Sequence, residues 1–267
     1  MESIQVRTAD GVRLFGMHVT VDRGIDDGRE KDLAIVLAHG FTVSVGRPHL
    51  QRVAQRFARA GDVVMADFRG HGRSAGGTSA GDFEVLDLDA VVRWARDAGY
   101  RRVATVGFSM GAGVVIRHAA LAPTSSGLRP VEPVDAAVSV SAPSRWYIRD
   151  TVPMRRVHWL LETPSGHWVA EKALRTRIAG VWGVPPDWPV AVVGRIAPTP
   201  LLLLQGDQDP YFGAEHGRAL AAAAGPSAEY WELAGFGHAE GALTPALVDR
   251  IAGWVATSVG RAGTMRQ

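Results

Sequence analysis

The apolar positions of the chain fall into short continuous runs, separated by longer stretches with helical spacing. Two β-like runs open it, Ile4–Thr8 and Val12–Val19, joined by Ala9-Asp10-Gly11. Asp-Gly between two such runs predicts a hairpin. The polar stretch from Gly24 to Asp32 reads as a loop. Leu33–Ala38 (LAIVLA) then has no polar position, the pattern of a strand buried on both faces of a parallel sheet. From His49 to Ala60, the residues Leu50, Val53, Ala54 and Phe57 share one helical face. The alternation repeats with strands at Val63–Ala66, Val103–Phe108, Val134–Val140, Leu201–Leu204 and Tyr230–Leu233. Helices are expected at Phe83–Ala98, Ser109–Leu121, Ala214–Ala224 and Pro245–Val259, the last with proline in its first turn. The fold class this implies is α/β, a mostly parallel central sheet covered by helices on both faces.

One stretch breaks the rhythm. No strand pattern is apparent from Pro143 to Pro198, and this stretch holds five of the eight tryptophans: Trp146, Trp159, Trp168, Trp182 and Trp188. It reads as a small helical cap inserted between two strands of the sheet. The expected organisation is a core of residues 1–142 and 199–260, a cap at 143–198 and a flexible tail at 261–267. Junctions of this kind are where apolar ligand pockets form. Trp146, Trp159 and Trp182 are therefore candidate substrate contacts.

Composition narrows the function classes. With 29 basic and 27 acidic residues the net charge is only +2, no long basic run is present, and only Lys31 and Lys172 are lysines. Nucleic-acid binding is not expected. The absence of cysteine removes disulfides, thiolate metal sites and cysteine nucleophiles together. The opening Met1-Glu-Ser-Ile-Gln-Val-Arg7 has no apolar run, so no signal peptide is expected. The apolar runs are too short to span a bilayer. A cytoplasmic protein acting on a small molecule, without cofactor or metal, is the expectation.

The sharpest chemical signal is Gly107-Phe-Ser109-Met-Gly111. A five-residue G-x-S-x-G pattern arises by chance too often to stand alone. Here it follows an apolar strand and opens a helix of small residues, the strand–turn–helix setting of a nucleophile elbow. Glycines two residues either side relieve a collision that bulkier residues would suffer at so sharp a turn. A hydroxyl needs a base, and the base needs an orienting acid. For this architecture they follow in the order Ser, Asp or Glu, His. The strand at Leu201 runs into Gly206-Asp207-Gln-Asp209-Pro, and the last strand is followed by Gly235-Phe-Gly-His238. Both lie at carboxyl ends of strands, the edge where open α/β sheets bind ligands. His238, after a late strand and flanked by small residues, is the expected base. Asp209 is the expected acid, with Asp207 its competitor. Two main-chain N–H groups should hold the oxyanion, one from Met110 and one from the loop His39-Gly40-Phe41, with Phe41 the expected donor.

These motifs, with Asp67-Phe-Arg-Gly-His-Gly-Arg-Ser74 after the second buried strand, resemble the α/β-hydrolase superfamily over nearly the whole chain. The Asp67–Ser74 run is similar to that of bacterial esterase-like and monoacylglycerol-lipase-like serine hydrolases. The resemblance implies ester, thioester or amide hydrolysis without a cofactor, with Asp67 and Arg69 structural. A serine at the elbow disfavours the relatives with an aspartate nucleophile, and the His-Gly-Gly-Gly stretch of hormone-sensitive-lipase-like esterases is absent. The expected activity is cleavage of carboxylic esters with a largely apolar acyl group through an acyl-enzyme. The alternatives are a thioesterase or acyltransferase for coenzyme-A- or carrier-bound acyl groups, suggested by Arg145, Arg149, Arg155 and Arg156, and a C–C bond hydrolase or ligand-binding protein.

Overall fold

Eight strands build one sheet. Its strands are β1 (Glu2–Arg7), β2 (Arg13–Val19), β3 (Leu33–Ala38), β4 (Asp62–Ala66), β5 (Arg102–Phe108), β6 (Ala136–Val140), β7 (Leu201–Gly206) and β8 (Ala228–Leu233). The computed structural model describes residues 1–20, 32–121, 131–180 and 185–265, with side chains to residue 260. Most of the loop expected at 24–32, and Trp182, lie outside the described residues. The strands lie in the order β1-β2-β4-β3-β5-β6-β7-β8. The β1–β2 hairpin and its seam with β4 are antiparallel, and every other pairing is parallel.

The unbroken LAIVLA run has a simple cause. β3 lies between β4 and β5, and its alternate side chains enter two separate cores. Ala34, Val36 and Ala38 pack with Leu88 of α2 (Glu84–Asp97), Val115 of α3 (Met110–Leu121) and Leu220 of α7 (Ala214–Ala224). Leu33, Ile35 and Leu37 pack with Leu50 and Phe57 of α1 (Pro48–Phe57) and with Ile251 and Val255 of α9 (Pro245–Met265). Helices thus cover both faces. Helix α9 runs six residues past the expected end at Val259, into the stretch read as a tail.

Between β6 and β7 the described residues include three helices. These are α4 (Val152–Glu162), α5 (Pro164–Leu174) and α6 (Pro189–Val192), followed by a 3₁₀ turn. Thr151 Oγ1 accepts from Met154 N–H to cap α4, and Thr163 Oγ1 accepts from Gly166 N–H at 3.0 Å to cap α5. The segment directly after α5 carries no sequence pattern that announces its pairing. Thr176 and Ile178 form isolated bridges with His71 and Thr78 of the loop after β4. The bonds are main-chain ones: Arg177 N–H to Gly70 O at 2.7 Å, Thr78 N–H to Arg177 O at 2.7 Å, and Ala179 N–H to Thr78 O at 3.0 Å.

That loop is itself tightly fastened. Asp67 accepts from Val45 N–H at 2.7 Å and Arg73 N–H at 2.9 Å. Arg69 bonds Asp87 through two guanidinium nitrogens and Asp10 through two. His71 is wholly buried, and its Nδ1–H donates to Arg69 O at 3.0 Å. Burial, aided by the neighbouring His39 and by Arg177, holds His71 down to about 3. The native ring therefore stays neutral where the unfolded chain takes a proton, so stability is complete above about pH 6.5 and is lost as pH falls towards 3. The loss should approach about 1.4 kcal/mol per pH unit below about 6.5. Urea midpoints at pH 7 and pH 4 should show it, and His71→Asn should flatten the difference.

Candidate active site

The sheet sets the geometry. Ala38 of β3 is level with Gly107 of β5, so the His39–Phe41 loop leaves the sheet beside the turn that carries Ser109. Ser109 stands between β5 and α3 with φ at 53°, a left-handed value that strains any residue with a side chain. Its N–H donates to Val140 O at 3.0 Å, and its carbonyl accepts from Ala112 N–H at 3.0 Å. The flanking glycines are sterically required. A Cβ on Gly107 would run into the carbonyl of Gly111, and one on Gly111 into the carbonyls of Ala38 and His39. Gly111→Ala is therefore expected to cost about 1–3 kcal/mol, with backbone rather than side chains having to yield. A lowered urea midpoint would register it.

Three loops converge on Ser109. His238 Nε2 lies 2.9 Å from Ser109 Oγ, and His238 Nδ1 lies 2.7 Å from Asp209 Oδ2. Asp209 is buried. Its Oδ1 accepts from the N–H groups of Tyr211 and Phe212 at 2.8 and 3.1 Å, and Oδ2 also accepts from Gln205 Nε2 at 3.2 Å. Tyr211 and Phe212 pack on the imidazole with ring centroids 4.3 and 5.5 Å away. The carboxylate side is thus fixed by main chain, and the ring by aromatic walls. Asp207 does something else: it is exposed, and its Oδ1 accepts from Gly235 N–H at 2.7 Å, bracing the turn before His238.

Ser109 opens into a cavity of about 620 Å³. The core side supplies Gly40, Phe41, Met110, Tyr211 and His238, and α4 supplies Met154, Val157 and Leu161 at helical spacing. The pair of expected oxyanion donors, Phe41 and Met110, lines the same cavity as the serine. His39 fastens that loop, with its ring bonded to Gly40 O at 2.8 Å and its Nε2 accepting from Phe68 N–H at 2.9 Å. Among the described residues no group of three or more His, Asp or Glu is placed to hold a metal.

A family model described as the alpha/beta hydrolase fold matches residues 34–164. The chain has the α/β-hydrolase fold. Among solved structures, esterase Pf2001 of Pyrococcus furiosus is 24% identical over 97% of this chain and 90% of its own, with a TM-score of 0.68. The α/β-hydrolase GrgF from Penicillium sp. sh18 is 19% identical over 98% of each chain, with a TM-score of 0.68. XC6422 from Xanthomonas campestris, described as an a/b serine hydrolase without lid, is 19% identical over 97% of this chain and 94% of its own, with a TM-score of 0.58. At these identities the likeness is one of fold. No curated protein matches the chain.

Of the tryptophans expected to meet substrate, Trp146 lines the cavity, buried and with Nε1–H donating to Pro186 O at 3.0 Å. Trp159 does not: it is 41% exposed on α4 and absent from the cavity wall. Counting aromatics had no power to tell the two sides of α4 apart. The periodicity of Met154, Val157 and Leu161 carries that information and could have found the lining face. Sequence reasoning also missed Tyr211, Phe212 and Glu240, all close in sequence to Asp209 or His238. Other histidines have structural partners: His216 Nδ1 accepts from Ser144 N–H at 3.1 Å, and its pKa is lowered chiefly by burial. No helix among the described residues is long and apolar enough to cross a membrane.

Proposed function

We propose that the chain is a serine hydrolase that cleaves carboxylic esters of a largely apolar acyl group through an acyl-enzyme, in the manner of esterase and monoacylglycerol-lipase-like enzymes. The observation that carries this is the hydrogen-bond chain Ser109–His238–Asp209, open to a cavity walled mostly by apolar side chains. In this reading His238 Nε2 takes the proton from Ser109 Oγ as the oxygen attacks the carbonyl carbon. The N–H groups of Phe41 and Met110 hold the oxyanion, each lowering the barrier by about 2.7–4 kcal/mol. The imidazolium returns its proton to the departing alkoxide, and a water activated by the same ring then frees the acyl group from Ser109. Asp209, bonded on its far side to main chain, holds Nδ1 protonated throughout. Residues 143–198 serve as the cap over this site, with Trp146, Met154 and Leu161 against the acyl chain and the remaining chain as core. The substrate is a small molecule, and the chemistry needs no cofactor.

A fluorophosphonate probe followed by a screen of p-nitrophenyl esters of increasing chain length tests this reading. Labelling of Ser109 and turnover of medium acyl chains are expected; an unlabelled Ser109 in folded protein would overturn it. The thioesterase alternative has thinner support. Arg145 pairs with Asp150, Arg149 with Glu162, and Arg155 of α4 donates to the carbonyls of Arg149 and Asp150 just before the helix. Arg145 and Arg156 both line the cavity, and among the described residues only Arg156 of the four has no ion pair or hydrogen bond that would compete with a phosphate.

A further inference from the structure

Glu240 has no part in that chemistry, yet it stands beside it. It lies two residues after His238 in the short helix α8 (Ala239–Ala242), is 5% exposed, and lines the cavity. Its one hydrogen bond among the described residues is a long one, Oε1 accepting from Gly40 N–H at 3.4 Å. The closeness to the nucleophile can be read at Gly40. A Cβ built there would lie 3.3 Å from Ser109 Cβ and 3.4 and 3.6 Å from the two Glu240 oxygens. Carboxylate and serine therefore flank a single backbone position, in the loop that also presents Phe41. Arg145 and Arg156 line the same cavity, but among the described residues neither reaches Glu240 as an ion pair.

A carboxylate is an odd occupant for this place. Holding Gly40 N–H needs only a neutral acceptor, which a glutamine would provide. Negative charge next to a forming oxyanion opposes the transition state, the more so behind apolar walls where the local dielectric is low. A buried carboxylate is ordinarily matched by a cation or by several donors, and Glu240 has one distant donor. The cavity that Glu240 lines is the route by which a cation from outside the chain can reach it.

We propose that Glu240 is a subsite for a protonated amine on the substrate, held close to the scissile carbonyl. This deepens, and rests on, the ester-hydrolase reading: the favoured substrates are amino esters, with the ammonium on Glu240 and the apolar chain among Met154, Val157 and Leu161. The bound cation also cancels the charge that would otherwise oppose the oxyanion.

Equilibrium binding tests this without turnover. Hexylammonium and 1-hexanol share a chain and differ in the charged head. By calorimetry the wild-type protein should bind hexylammonium at least about tenfold more tightly, the scale of one charge-assisted hydrogen bond. Glu240→Gln, which keeps an acceptor for Gly40 N–H, should bring the two affinities together, while Glu240→Asp, which keeps the charge, should retain part of the preference. Equal affinities in the wild type, or a preference that survives Glu240→Gln, overturns the inference. Either result leaves the hydrolase reading standing if Ser109 is labelled and neutral esters turn over; an unlabelled Ser109 sinks that reading by itself.

Discussion

Ser109→Ala is expected to lower kcat by about 10⁴-fold or more while leaving stability almost unchanged. The size follows from the unit that Ser109, His238 and Asp209 form: deleting the nucleophile from such a unit leaves only what the oxyanion donors and substrate binding contribute. Stability should hold because, among the described residues, the hydroxyl has a single partner, His238 Nε2 at 2.9 Å, and it faces the cavity rather than the core. Alanine keeps the backbone at φ 53° under the same strain as serine, so the turn gains and loses little. Initial rates on a medium-chain ester, together with urea midpoints, separate the two effects. Undiminished turnover would mean that another group attacks the ester.

Asp209→Asn should cost nearly as much through a different route. Oδ1 accepts two main-chain N–H groups, from Tyr211 and Phe212, so an asparagine places its oxygen there and turns its NH₂ towards His238. Nδ1 of the imidazole must then accept, the proton moves to Nε2, and the ring can no longer take the proton of Ser109. A misplaced tautomer of this kind lowers kcat by about 10⁴-fold. The NH₂ would also face Gln205 Nε2, donor against donor, so a loss of stability of about 1–3 kcal/mol is expected alongside. Two signatures identify the route: KM stays close to wild type, and fluorophosphonate labelling slows without vanishing.

Most of the fold was legible because each central strand announces itself twice, once as an apolar run and once by the turn residues around it. β3 is the clearest case, with every residue buried in one of two cores. The order Ser109, Asp209, His238 was legible for a related reason: all three follow strands whose carboxyl ends share one edge of the sheet. The choice between Asp207 and Asp209 leaned on the proline after Asp209 and left Asp207 as a competitor. Two residues apart, both precede the same turn, and what separates them is the path of the main chain: Phe212 N–H folds back to Asp209, and Gly235 N–H to Asp207. Trp159 failed for want of direction, since composition says nothing about which side of a helix meets the cavity. Residues 176–179 left no pattern at all, because their bonds to the loop after β4 run through backbone atoms that any residue possesses.

That last tie has an evolutionary consequence. Leu174, just before residues 176–179, and Ala80, just after Thr78, both border the cavity, so the two walls are joined through peptide groups. Mutation can exchange the side chains that meet substrate without touching those bonds. The scaffold therefore separates what the site accepts from how its walls are held, and a lineage built on it is free to drift between substrates while its folding stays unaltered.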